Sequence, residues 1–113
     1  MTVSSPSECS YVRSTTDERS SRSRDAVSLT ASQHWTVRDP RGTVLGFAEV
    51  FEGNEQWGVR FFDQAPQMDD SDLVRVVAHL LVWHAQCRTE TVDLVLARTH
   101  EHHTLVRVSG DYV

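Results

Sequence analysis

The chain contains no lysine, two cysteines, three prolines and five glycines in 113 residues. Each scarcity closes off a class of protein. Cys9 lies in a polar leader and Cys87 at the end of a helical pattern, so a disulfide framework is not available. Both read as free thiols of a reducing compartment. The first 25 residues hold no apolar run, so no signal peptide is visible. The apolar stretch Leu73–Trp83 is too short and too interrupted to cross a bilayer. These absences predict a cytoplasmic protein with no membrane attachment. All 11 basic residues are arginine, a bias expected of GC-rich codon usage.

Charge is informative once it is divided. Residues 1–28 carry Arg13, Arg19, Arg22 and Arg24 against Glu8, Asp17, Glu18 and Asp25, which cancel. The net charge of −5 therefore belongs to residues 29–113. An acidic body repels phosphate backbones, so nucleic-acid binding is disfavoured. Residues 1–28 are rich in Ser and Arg and poor in apolar side chains. That composition does not offset the entropy of ordering a backbone, and predicts a disordered N-terminal tail. One α+β domain is then expected over 29–113.

What is present is one long helical pattern, Asp69–Arg88. Leu73, Val74, Val76, Val77, Leu80, Leu81, Val82 and Trp83 cover much more than a single stripe. Only Arg75, His79 and Gln86 form a wet edge. A helix so apolar needs cover on more than one side, from a sheet and from either the N-terminal arm or a second copy of the chain. Asp69 suits the N-cap, and Asp70 and Asp72 suit the positive helix end.

Alternation predicts strands at His34–Asp39, Thr43–Phe51 and Gln56–Asp63, joined by the turns Asp39-Pro40-Arg41-Gly42 and Glu52-Gly53-Asn54-Glu55. Along the second strand one face is small (Gly46, Ala48, Val50) and should receive the helix. Gly46 marks a bulge or a close backbone approach. A further strand is expected at Val92–Arg98, and Thr104–Ser109 reads as a strand or a short helix. The fold expected is an α+β two-layer sandwich: an antiparallel three-stranded meander, one long helix, then one or two strands (β-β-β-α-β-β). The far sheet face, carrying Trp57, Phe61 and Phe47, should stay partly bare and seek a partner.

From Thr43 onward the layout resembles the central part of GNAT-type N-acetyltransferases. The hairpin strand VLGFAEVF (Val44–Phe51) and the helix–turn–strand run LVRVVAHLLVWHAQCRTETVDLVLA (Leu73–Ala97) carry it, over about 65 residues. The resemblance implies acetyl-CoA as ligand, its pyrophosphate received at the start of the helix. In place of that family's glycine-rich loop stands Gln67-Met68-Asp69-Asp70-Ser71-Asp72, whose carboxylates repel pyrophosphate.

Candidate chemistry is sparse. His100, His102 and His103 form the densest group of metal-type side chains, with a solvated turn as the plainer reading. His79 and His84 are five residues apart, about 140° around an α-helix, and so are not expected to share a face. His84 and Glu49 are placed at the mouth of a pocket lined by Trp57 or Trp83. Cys87 has no activating base nearby in sequence. The reading that follows is a small acidic, non-catalytic protein-interaction or regulatory module, expected to be a homo-oligomer or to bind another protein. The alternative is a degenerate acetyltransferase-like or other small-ligand-binding domain, with acetyl-CoA or a divalent metal as its ligand. Interface or ligand candidates are Trp57, Phe61, Phe47, Trp83, His84 and Glu49.

Overall fold

The computed structural model describes residues 5–14, 31–53 and 56–113. Seven strands form one mixed, curled sheet, a half-barrel, in sequential order. They are β1 (Ser10–Arg13), β2 (Ala31–Arg38), β3 (Val44–Glu52), β4 (Trp57–Phe62), β5 (Thr91–Leu96), β6 (Glu101–Val108) and β7 (Asp111–Tyr112). All neighbours are antiparallel except β4 and β5, which run parallel because a helix connects them. That helix has 15 residues, Asp70–His84. Its first part, α1 (Asp70–His79), is α-helical, and Leu80–His84 is wound as a π-helix.

This corrects the expected architecture. A three-stranded meander followed by one long helix is not what the chain builds. A strand precedes the meander, two strands lie beyond β5, and the helix is shorter than the Asp69–Arg88 pattern. The earliest strand lies inside the stretch read as a tail. Ser10–Arg13 pairs antiparallel with Trp35–Arg38, and a 3-10 turn at Pro6–Glu8 packs on α1. Residues 1–4 and 15–28 of that stretch lie outside the described residues. Average composition hid the strand, because Tyr11 and Val12 are a local apolar pair in a polar surround.

The curl explains how the helix is sheltered. Leu73, Val76, Val77, Leu80 and Leu81 are all buried, and Val74 and Val82 pack partly against the same core. The concave face supplies Trp35, Val37, Leu45, Val50, Phe61, Leu94 and Leu105. Tyr11 closes over the helix and donates its hydroxyl proton to the Val76 carbonyl at 3.2 Å. Of the two expected covers, the N-terminal arm is therefore the one present, and a second copy is not needed for this purpose.

Gly46 permits the curl. Its φ is +154°, and the register of β2 against β3 shifts beside it, skipping Leu45. A Cβ built on Gly46 would collide with the Phe61 ring and lie 2.8 Å from the Phe62 carbonyl oxygen. The expected bulge and the expected close approach are both found there. The bulge also turns Leu45 to the inside, together with Ala48 and Val50.

Local chemistry sets the corners. Asp39 accepts the N–H groups of Arg41 and Thr43 on one carboxylate oxygen, closing the Pro40–Arg41 turn. Asp69 caps the helix by accepting the Asp72 N–H at 2.8 Å. The far end has no glycine. Gln86 takes a left-handed φ of 60°, and Cys87 donates its N–H to the Leu81 carbonyl at 2.7 Å. The chain then runs extended, so the helix stops before the expected Arg88.

Candidate functional site

The π-wound end of the helix gathers a column of rings. In an α-helix five residues amount to about 500°, leaving His79 and His84 far apart around the axis. The wider turn at Leu80–His84 removes most of that offset, and the two imidazoles lie 5.5 Å apart, centroid to centroid. Ala85 N–H donates to the Leu80 carbonyl at 2.8 Å, the five-residue bond that defines this winding. The expectation that these histidines face apart is thus overturned by a local change in helix type. Leu80–His84 reads Leu-Leu-Val-Trp-His, and no periodicity in the sequence announces a π turn.

Tyr11 joins them from β1, so that the three rings form a compact triangle. Its ring stacks on His84 at 4.6 Å and 27°, and lies 5.4 Å from His79. Trp83 extends the cluster outward, 6.0 Å from His79, and Trp35 meets His84 edge-on at 5.8 Å. Trp83 is 69% exposed, the most open of the large apolar side chains described. Trp35 anchors the inner end, its indole N–H donating to Gln33 at 3.0 Å, and Gln33 in turn donates to Glu52. Tyr11 and Trp35 were not singled out from the sequence. The usable signal was that Tyr11 is the only aromatic residue before Trp35.

The electrostatics of this patch are distinctive. Burial lowers the pKa of His84 from its ordinary 6.5. Burial and then the neighbouring His84 lower that of His79, with Asp111 acting weakly against them. Both rings are therefore neutral at pH 7. The Tyr11 hydroxyl is pushed well above its ordinary value, mainly by burial. Asp39 and Glu8 add to burial in raising the Cys9 thiol, so carboxylates stand near the β1 side of the cluster.

The other candidates fall in different places. Phe61 is 2% exposed in the core, and Trp57 packs partly against that core, opposite Glu52 and Val92. The face of β4 read as bare is thus the helix-facing one. The convex face instead carries Phe47, 40% exposed, with Glu49 between His34 (3.8 Å) and Arg60 (3.9 Å). Phe47, Glu49, His34 and Phe62 line a shallow hollow of about 310 Å³. Glu49 is therefore on the opposite side of the sheet from His84, and the expected shared pocket does not form.

Strand alternation also divides the histidines of β6. His102 points to the convex face, 3.5 Å from Asp93. His103 points to the concave face, and His100 sits in the preceding turn with φ 61°. The three do not converge. His103 instead meets Glu101 and Asp70. A second cleft, about 680 Å³, opens at the ends of β4 and β5 and is lined by Phe62, Gln64, Pro66 and Arg98 among others. At the helix start, the Asp69 carboxylate already occupies the N–H that an incoming phosphate would use, so pyrophosphate is not favoured there. Among the described residues no helix is long and apolar enough to cross a membrane. In comparisons with known proteins, no family model, no curated protein and no solved structure matches this chain.

Proposed function

We propose that the protein is a non-catalytic interaction module whose ring column, Trp83–His79–Tyr11–His84, receives a basic segment of a partner protein. The single observation that carries this reading is the exposure of Trp83 at the edge of the ring cluster, 6.0 Å from His79. An exposed tryptophan held by packed neighbours has the character of an interface anchor, because its large area is desolvated on docking at little cost in conformational entropy. Ring faces attract cations, by about 0.5–1 kcal/mol when exposed and about 2 kcal/mol when desolvated. With His79 and His84 neutral, the column does not repel a guanidinium or an ammonium. Glu8, Asp39 and Asp111 around it, and the net charge of −5, favour the same partner.

Self-association was expected because the helix needed cover, and β1 and the curled sheet meet that need within one chain.

Fluorescence titration with a hexa-arginine peptide, against hexa-glutamate as control, tests the proposal. The expected result is saturable, salt-sensitive binding to the basic peptide alone, weakened about 30-fold by Trp83→Ala, the equivalent of a 2 kcal/mol anchor. Binding that survives Trp83→Ala places the partner elsewhere on the acidic surface. Light scattering that shows a dimer dissolved by Trp83→Ala makes a second copy the occupant. Either result overturns the assignment.

A further inference from the structure

We propose that Asp70, Glu101 and His103 form a zinc(II) site at the opposite end of the helix from the ring column. Among the described residues they are the one group of at least three His, Cys, Asp or Glu side chains whose donor atoms converge, all within 4.8 Å of one another. The convergence is a product of the fold. Glu101 and His103 are two apart on β6 and so share its concave face, opposite Leu96 and Leu94. Asp70 is the first residue of α1, which begins against that face.

Two further observations separate this group from a chance collection of surface acids. His103 Nε2 is buried and has no hydrogen-bond partner among the described residues. Its nearest carboxylate oxygen, on Glu101, is 3.6 Å away, beyond a hydrogen bond. The His103 side chain as a whole is 35% exposed, but this nitrogen faces inward, and a buried nitrogen with no hydrogen bond is costly unless something fills the gap. Asp70, in turn, is oriented from behind. Gln64 Nε2 approaches its carboxylate at 3.4 Å and donates to the Met68 carbonyl at 2.7 Å. Such outer support is what a metal-binding carboxylate needs to hold its position.

The donor set selects the ion. One imidazole nitrogen with two carboxylates suits zinc, whereas magnesium and calcium prefer oxygen alone. Ligands of a tetrahedral zinc stand roughly 3.4 Å apart, so the group closes slightly on loading, by side-chain rotation. A water completes the fourth position. The positive helix end opposes a cation by about half a charge, and the two carboxylates outweigh it. This group differs from the trio His100, His102 and His103 suggested by sequence, of which it keeps only His103.

Calorimetric titration of zinc chloride into the chelator-treated full chain tests the site. The expected result is one zinc per chain at micromolar affinity, weakened at least 30-fold by His103→Ala and by Asp70→Asn. His102→Ala and the double variant His79→Ala/His84→Ala should bind as the parent does. In parallel, the imidazole nitrogen resonances of the unmodified protein should move for His103 alone on zinc addition. That measurement stands even if a variant fails to fold. No zinc uptake overturns the proposal, as does uptake that moves His79, His84 or His102 instead.

Discussion

The two ends of the single helix are built by opposite means. The N-terminal end is regular α-helix, capped by Asp69 and surrounded by carboxylates, with Asp72 buried against Arg75 at 3.1 Å. The C-terminal end is π-wound, has no glycine stop, and is covered by neutral rings. The first end uses charge and hydrogen bonds, its cap and its Asp72–Arg75 pair both made within a few residues along the chain. The second uses area and stacking, and draws on β1 and β2, which are distant in sequence. The lesson is that a helix end can be specified by nearby residues or by tertiary contacts, and only the former can be read along the chain.

Both ends rest on the same curled sheet, so the most disruptive change is one that flattens it. Gly46→Ala puts a methyl group into the Phe61 ring and against the Phe62 backbone, at a φ that alanine resists. The expected loss is about 2–4 kcal/mol by urea denaturation, the sum of overpacking and backbone strain. A loss under ~1 kcal/mol would show that the sheet adjusts freely and that neither helix end depends on its curvature.

A smaller effect separates the two ends directly. Asp69→Ala removes the cap and should cost about 1 kcal/mol. Gln86→Gly should do the reverse at the other end. It relieves a left-handed non-glycine residue and should add about 0.5–1 kcal/mol, measured in the same denaturation series. If Gln86→Gly destabilises, the glutamine side chain is holding the π turn and the contrast between the ends weakens.

Which parts were legible follows the same division. The Asp69 cap and the Asp39–Gly42 turn are local, and the sequence spacing contains them; Gly46 is legible because a lone glycine inside a strand pattern marks a bulge or a close approach even though its partners are distant. The strand at Ser10–Arg13 was hidden because its stability comes from pairing with Trp35–Arg38 and not from its own composition. The His79–His84 pairing was hidden because it requires a helix type that residue periodicity does not encode. Trp57 and Phe61 were assigned to the wrong side, since alternation fixes which residues share a face but not which face meets the helix. Trp83 and His84, which the sequence places at the lining and mouth of a pocket, both take part in the ring cluster. Glu49 and Phe47 lie on the other side of the sheet, and His103 leaves its histidine neighbours for two carboxylates.

The smallest expected effect is in pH. His79 and His84 have pKa values below the ordinary 6.5 in the folded chain. Between those values and 6.5 the unfolded chain binds more protons than the folded one, so stability rises with pH there. Loss should begin as pH falls through 6.5 and level off below the folded values, where both states are charged. The change is modest because both rings keep much of their contact with water, which screens the repulsion between two imidazolium groups. Urea midpoints measured from pH 7.5 to 5 should decline over that window, and His84→Gln should flatten the decline by removing one titration and the mutual repulsion. An undiminished decline in the His84→Gln protein would mean that the sensitivity comes from another histidine, and the ring column would lose its claim to be the protein's neutral, cation-accepting face.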